Sequence, residues 1–287
     1  MNTRMHTRMN PRMNPRMRVA IVALRHPSGR FSVLVPEMEE RLQDLGCEVE
    51  IIDPDAGPVD LGAVRTDADL YILKSGTEAA LSFAGVLHAR GARVVNPYPV
   101  AAACRDKIVQ THVLAEAGVP VPQSWMTVAP MSLLPQLEDG PLILKDPRGS
   151  QGRGLEIVHD RDGLAALPVG TPWLAMRYYR PEGEDLKLYR IGDEVFGVER
   201  IFPAKTYAQK LGRPYAVSDD LRDIVLRCGD AFGISVYGVD VIRSRGRHWV
   251  VDMSSFPGFK GVPAAGRRIV DHVVSHSNAF ETRELAS

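Results

Sequence analysis

The chain is poor in most features that would tie it to a special environment. Its three cysteines, Cys47, Cys104 and Cys228, are scattered and form no C-x-x-C pair. A disulfide framework and a cysteine-rich metal site are therefore not expected, and the thiols read as buried and free in a reducing cytoplasm. No apolar run approaches the ~20 residues a membrane helix requires. Neither charge is in excess, with 35 Lys+Arg against 35 Asp+Glu, which offers nothing to nucleic acid or to a membrane surface. The G-x-x-x-x-G-K-[ST] loop and the spacing of the dinucleotide fingerprint are both missing. So is any Ser-His-Asp or Cys-His arrangement for covalent catalysis. What remains is a chain of 287 residues, 45% hydrophobic and 24% charged, in the range of a globular protein of about two domains.

Residues 1–17 stand apart. Asn2-Thr3-Arg4-Met5 begins a four-residue repeat that ends at Asn14-Pro15-Arg16-Met17. It is basic, contains Pro and has no apolar core, so it is expected to be disordered and is not a secretory signal. An upstream start codon with Met17 as the true beginning accounts for it; a basic binding arm is the alternative.

Folding is expected to begin at Arg18. Apolar runs at Val19–Leu24, Val49–Ile52, Asp69–Lys74 and Arg93–Val95 read as strands, alternating with helices over Pro36–Leu45 and Ala79–Arg90. Such alternation implies a parallel sheet covered by helices, in a first domain over 18–104. A helix over Arg105–Gly118 follows, with Ile108, Val109, His112, Val113 and Leu114 for its core face. Strands are expected at Ser124–Val128, Leu142–Lys145, Leu155–Val158 and Trp173–Tyr179, with short helices at Leu133–Leu137 and Asp160–Leu167. This makes a second unit over 105–179. The third, 180–287, should hold paired strands at Asp185–Ile191 and Glu194–Arg200, then a helix over Asp219–Phe232. Two further strands, Tyr237–Ile242 and His248–Met253, precede a last helix at Arg267–Ser275 and a frayed tail.

The most informative segment is Leu142 to Gly154. An apolar strand ends in Lys145, and Gly149, Gly152 and Gly154 follow within a few residues. Closely spaced glycines let main-chain N–H groups converge on one anion, and a lysine at the strand end adds a fixed positive charge. The pattern suits a phosphate grip on a strand–turn–strand flap; an ordinary glycine-rich hairpin is the plain alternative. Lys107, at a helix start, is a second candidate for a phosphate contact.

Two carboxylates follow apolar runs on neighbouring strands, Asp240 and Asp252. Pairing the strands across the turn at Gly246 would bring them together. Paired buried carboxylates repel unless a cation neutralises them, and Mg²⁺ shared with nucleotide phosphates meets that need. Lys187 and Arg200 lie inside strands, where a charge on a transferred phosphoryl or acyl phosphate would explain them; outward alternation on a half-exposed sheet is the other explanation.

In this order, Lys107, Lys145 with its flap, Asp185-Leu186-Lys187, Arg200, Asp240 and Asp252 resemble the ATP-grasp superfamily. Within it the chain is similar to the RimK-like carboxylate–amine ligases and to the inositol-phosphate kinase branch. Cys104-Arg105-Asp106-Lys107 with Ala117-Gly118-Val119-Pro120, and Asp252-Met253-Ser254-Ser255-Phe256-Pro257-Gly258-Phe259-Lys260-Gly261, carry the same likeness, which covers the chain from Arg18 onward. The resemblance implies an α/β (α+β) ATP-grasp fold, with an open first domain and two α+β subdomains clasping ATP. It also implies roles. Lys107 and Lys145 would contact the phosphates under a flap of Ser150, Gln151 and Gly152. The main chain of Met176, Arg177, Tyr178 and Tyr179 would bind adenine, with Glu182 or Glu184 at the ribose. Lys187 and Arg200 would steady the phosphoryl group. Asp240 and Asp252 would hold one or two Mg²⁺ (or Mn²⁺), with Ser254 where the family usually has Asn; a hydroxyl is the weaker ligand, which puts a second ion in question. Arg148, Lys205, Lys210, Arg213, Gly258 and Lys260 are candidate contacts to an anionic substrate.

The expected activity is ATP-dependent joining of a small-molecule or peptide carboxylate to an amine, through an acyl phosphate. The rivals are a kinase acting on a polyol or sugar phosphate, and a nucleotide-binding subunit without turnover. A cytoplasmic protein is expected, with no nucleic-acid or membrane partner. The resemblance suggests a homodimer or homotetramer.

Overall fold

In the computed structural model the described residues are 16–26, 28–149, 154–201, 204 and 206–284, with side chains described to His276. The repeat over residues 1–15 lies outside them. Met17, however, belongs to the fold: its carbonyl accepts from the Glu48 N–H, and its side chain packs on the core.

The described residues form three sheets. The first is parallel, in the order β2-β1-β3-β4, from β1 (Arg18–Val22), β2 (Glu48–Ile52), β3 (Leu70–Leu73) and β4 (Val94–Val95). Between them run α1 (Leu34–Asp44) and α2 (Glu78–Ala89), the latter capped by the Thr77 side chain. The buried run Leu70–Leu73 faces two cores at once: Leu70 and Ile72 point to one, Tyr71 and Leu73 to the other. Alternation along a strand requires this when both faces are covered.

The expected helix over 105–118 is α4 (Lys107–Glu116), and a helix the sequence reading did not give, α3 (Tyr98–Arg105), comes directly before it. Asp106 breaks them apart and caps the second, accepting from the N–H groups of Ile108 and Val109. The core face of α4 is also corrected. Gln110, Thr111 and Leu114 are buried, whereas Val109 and His112 are exposed. β5 (Ser124–Thr127) leads through a 3₁₀ turn (Pro130–Leu133) into α5 (Leu134–Leu137), followed by β6 (Leu142–Lys145), β7 (Leu155–Val158), α6 (Arg161–Ala165) and β8 (Trp173–Arg177). The second sheet is antiparallel, ordered β5-β8-β6-β7. One of its faces buries Leu142, Leu144, Val158, Trp173 and Ala175.

The third sheet is antiparallel, ordered β11-β10-β9-β12-β13. Its strands are β9 (Asp185–Ile191), β10 (Glu194–Arg200), β11 (Arg213–Tyr215), β12 (Val236–Ser244) and β13 (Arg247–Ser254), with α7 (Tyr207–Leu211) and α8 (Asp219–Phe232) between β10 and β12. Leu186, Leu188, Val239 and Val241 pack with α8 on one face. Tyr189, Ile191, Val198 and Val236, on the opposite face, pack with the last helix, α9 (Ala265–Glu284), and with α1 and β1 of the first sheet. Thus α9 runs on beyond the expected end at Ser275, and it ties the carboxyl-terminal sheet to the first one.

Candidate active site

Register sets the site. In the third sheet Asp240 is the partner of Lys187 on one side and of Asp252 on the other. Residues opposite each other in an antiparallel ladder share a face, so Lys187, Asp240 and Asp252 form one crosswise row. Arg200 lies on that face too, two residues along β10 from Val198, the partner of Lys187. Lys187 Nζ reaches Asp240 Oδ2 at 2.7 Å, and Arg200 Nη2 reaches Oδ1 at 2.9 Å. Burial alone would raise the Asp240 carboxyl, but Lys187 and Arg200 outweigh it and hold it below the ordinary carboxylate value.

Asp252 is served from α4. Lys107 Nζ lies 3.0 Å from both of its carboxylate oxygens. One turn along the helix, buried Gln110 clamps β13: its amide donates to the Cys104 and Met253 carbonyls at 2.7 Å, and its oxygen accepts from Met253 N–H at 2.8 Å. The expected hairpin contains a bulge the sequence does not announce. The register slips after Asp240–Asp252, leaving Val251 as the extra residue, and the Val251 carbonyl accepts from Lys145 Nζ at 2.9 Å. Burial lowers the Lys145 pKa; Asp252 opposes that, Lys107 adds to it, and Asp240 opposes it more weakly. The two lysines and the two aspartates thus lie within electrostatic reach of one another.

These groups line a cleft of about 810 Å³. On the opposite wall, the second sheet turns Ile143, Leu155, Ile157 and Met176 inward beside Lys145, which makes a slot with one apolar side and one charged side. The first domain adds Leu73, Ser75 and Gly76 from beyond β3, a third wall that sequence reasoning did not foresee. Buried Asn96 couples that domain to the site, donating to the Val236 carbonyl (2.7 Å) and to the Ser255 carbonyl.

Most of the expected residues meet here: Lys107, Lys145, Met176 to Tyr179, Glu184, Lys187, Arg200, Asp240, Asp252, Ser254, Gly258 and Lys260 all border the cleft. Ser150, Gln151, Gly152 and Lys205 lie outside the described residues. The Arg177 side chain points away from the cleft, donating to the Gln136 and Gly140 carbonyls over the Trp125 ring. The N–H groups of Arg177 and Tyr178 are taken by the Gln123 and Pro141 carbonyls. Of the two glutamates considered for a ribose, Glu184 borders the cleft, while Glu182 accepts from the Arg245 N–H. Three substrate candidates are placed elsewhere. Arg148 pairs with Glu78 at 3.4 Å, Arg213 pairs with Glu199 at 3.1 Å, and Lys210 is exposed on α7. Arg213 also reaches Glu184, on the cleft border, at 3.5 Å; the charges of Arg148 and Lys210 serve an ion pair and solvent.

Asp185, the first residue of the Asp185-Leu186-Lys187 motif, also faces the cleft. Burial pushes its carboxyl up to about 6; Asp240 adds to the rise and Arg200 opposes it. The thiols of Cys104 and Cys228 are buried and pushed up to about 12, chiefly by burial, as inert thiols should be. No described helix is long and apolar enough to cross a membrane.

Among the described residues no cluster of three or more His, Cys, Asp or Glu side chains forms a metal cage. Asp240 and Asp252 offer hard oxygen ligands only, from partly exposed side chains. Two carboxylates completed by phosphate oxygens are a usual Mg²⁺ arrangement, so the donor set fits the ion.

Comparison with known proteins agrees with this geometry. A family model described as the RimK-like ATP-grasp domain matches residues 104–274, more than half of the chain. The probable alpha-L-glutamate ligase of Stenotrophomonas maltophilia (strain K279a) is 28% identical over 235 residues, covering 74% of this chain and 80% of the relative. The crystal structure of a RimK domain ATP-grasp protein from Sphaerobacter thermophilus superposes with a TM-score of 0.72 at 19% identity, over 89% of this chain and 98% of the other. The ATP-grasp ligase PsnB, solved with a minimal precursor, Mg and ADP, gives a TM-score of 0.68 at 20% identity, over 91% and 97%. The chain belongs to the RimK-like ATP-grasp family. It is an ATP-dependent ligase, which is the first of the three activities weighed from the sequence.

Proposed function

We propose that the protein joins the carboxylate of one substrate to the amine of another, at least one of them anionic, and that a small molecule or a peptide serves in each place. The observation that carries this reading is the row Lys187–Asp240–Asp252, crossed by Lys107, Lys145 and Arg200 and facing an apolar slot. Residues 105–179 and 180–287 act as the two jaws, with 18–104 closing the cleft on the third side. An adenine ring fits between Ile143, Leu155 and Met176 on one side and Ile242 and Met253 on the other. Because the Arg177 and Tyr178 N–H groups are already engaged, its main-chain contacts fall to the carbonyls of this hinge and to Tyr179. Glu184, which borders the cleft and pairs with Arg213 at 3.5 Å, is the proposed ribose contact.

Lys107 and Lys145 bring two fixed positive charges to the phosphates. Asp240, Asp252 and Ser254 would hold Mg²⁺, which supplies charge neutralisation at the phosphates when bound. A substrate carboxylate oxygen attacks the γ-phosphorus, the bond to the β-phosphate oxygen breaks, and ADP leaves. Lys187 and Arg200 offset the charge on the transferred phosphoryl group. The amine nitrogen then attacks the acyl carbon and loses a proton, and inorganic phosphate departs. No side chain forms a covalent bond in this scheme; the protein supplies placement and charge. ADP release across pairs of carboxylates and amines tests the reading. Lys145→Ala and Asp252→Ala should each abolish release, and near-normal release from either would refute the roles given to them.

A further inference from the structure

The segment that joins the second and third sheets is held at its two ends by different partners. On the near side the N–H groups of Arg177 and Tyr178 donate to the Gln123 and Pro141 carbonyls, beside the second sheet. From Tyr179 the contacts pass to the β12–β13 hairpin of the third sheet. The Tyr179 ring stacks on Trp249, with centroids 4.5 Å apart and planes 25° from parallel. The Arg180 carbonyl accepts from Ser244 Oγ at 2.8 Å, and the Glu182 N–H donates to the Arg243 carbonyl at 2.8 Å. The Glu182 carboxylate accepts from the Arg245 N–H at 2.7 Å. The pivot between the jaws therefore falls at Tyr178–Tyr179, within the stretch assigned to the base.

The hairpin is shaped for these contacts. Ser244 pairs with Arg247, leaving a two-residue turn in which Arg245 (φ 53°) and Gly246 (φ 69°) both take positive φ, as the tight primed hairpin turn demands. A non-glycine residue there is uncommon, and this one gives its N–H to Glu182. The bulge at Val251 then aims Trp249. Side chains alternate along a strand, so a residue three before Asp252 would face away from the cleft. The extra residue shifts the phase by one: Asp252 pairs with Asp240 and Trp249 with Ile242, and both pairs share the cleft face. Ile242 and Tyr179 border the cleft, and half-buried Trp249 backs them. The Arg247 guanidinium lies over the Trp249 ring at 5.0 Å, which extends the run of contacts outward.

We propose that Trp249 is a positioning residue for the base of the nucleotide. It acts through Tyr179: the stacked rings, with the Ser244 and Glu182 hydrogen bonds, fix the main chain on which the base contacts rely. The proposal rests on the ligase reading and deepens it. The groups that serve phosphate lie on or beside the Lys187–Asp240–Asp252 row, whereas Trp249 acts on the adenosine half alone. Aromatic pairs at this separation are worth more than their buried area, and here that stabilisation holds one short stretch of main chain in place.

The test is binding of two probes to the full chain with Mg²⁺: a non-hydrolysable ATP analogue and inorganic triphosphate, which share the phosphates and differ in the adenosine. The wild type should bind the analogue more tightly. Trp249→Leu keeps apolar bulk and removes the stacked ring. It should weaken the analogue by about three- to tenfold, as loss of an aromatic pair predicts, and leave triphosphate affinity unchanged. Trp249→Phe keeps a ring and should bind the analogue within about twofold of the wild type. A merely structural lesion would weaken both probes together. Unchanged analogue affinity in Trp249→Leu, equal loss of both probes, or a Phe variant as weak as the Leu variant would overturn the proposal. Should Trp249→Leu not fold, Ser244→Ala decides in its place, because it frees the Arg180 carbonyl without touching either ring: loss for the analogue alone supports the proposal, and no loss or equal loss overturns it. Equal binding of the two probes by the wild type would overturn it too, leaving a phosphate grip without base recognition. Wild-type protein that binds neither probe would instead defeat the ligase reading, and this inference with it.

Discussion

Replacing Asp240 with Asn tests whether the central row is built as described. The change keeps shape and removes one negative charge. Lys187 and Arg200, whose side chains are only 7% and 21% exposed, then lose the carboxylate they share at 2.7 and 2.9 Å. Breaking a buried pair costs about 3–5 kcal/mol because the survivor is left uncompensated. Here two cations are left, but the cleft admits water, and the Asn oxygen still accepts one hydrogen bond. A loss of about 2–4 kcal/mol is therefore expected, read as a lower urea midpoint at pH 7 with unchanged slope. The pH dependence supplies a second check. The Asp240 pKa is lowered in the folded protein, so its stabilisation is present above the unfolded value of about 4 and disappears as pH falls through the folded value. The gap between wild type and variant should narrow in acid. A gap under about 0.5 kcal/mol at pH 7, within the usual range of surface changes, or one that widens in acid, would refute the argument.

Other consequences can be measured in the same way. Asp185 carries the opposite shift, up to about 6, so its ionised form is disfavoured in the fold. Asp185→Asn should be more stable than wild type above pH 6, and the advantage should shrink as pH falls toward about 4 and vanish below about pH 3, where the carboxyl is protonated in both states. Gln110→Leu strands the Cys104 and Met253 main-chain groups it now satisfies; at about 1–3 kcal/mol for each unsatisfied buried group, a clear fall in melting temperature is expected, with weaker ATP-analogue binding as Asp252 loses its support. Gly154, at φ 68°, would carry a Cβ 2.8 Å from the Asp146 Cβ. Gly154→Ala should strain the flap base and raise KM for ATP more than it lowers overall stability, as paired activity and melting measurements would show.

Much of this architecture is legible in the residues, because its strands and helices carry clear periods. The apolar spacing of Leu221, Ile224, Val225 and Cys228 predicts α8 over Asp219–Phe232, where it lies, capped by Ser218 and ended at Gly233. The Asp240–Asp252 juxtaposition follows from two short strands around one turn. Missed elements have local reasons. β11 contains Pro214, which argues against a strand, and it survives because it lies at the sheet edge. α7 has only five residues, too few to show a period. α3 was hidden by Pro97 and Pro99, though Pro is well tolerated in a first helical turn. In the site, the residues missed depend on tertiary placement. Gln110 looks like a surface glutamine until α4 is rotated onto β13. The Val251 bulge leaves no residue signature. The Leu73–Gly76 wall exists only because α9 and Asn96 hold the first sheet against the last.

The central claim is that ATP is spent here to make an amide. The most direct measurement is mass spectrometry of the products when a carboxylate and an amine that together stimulate ADP release are supplied with Mg²⁺-ATP. The account predicts a species with the mass of both substrates less one water, formed in step with ADP and dependent on the amine. A phosphorylated substrate that accumulates whether or not the amine is present would contradict it.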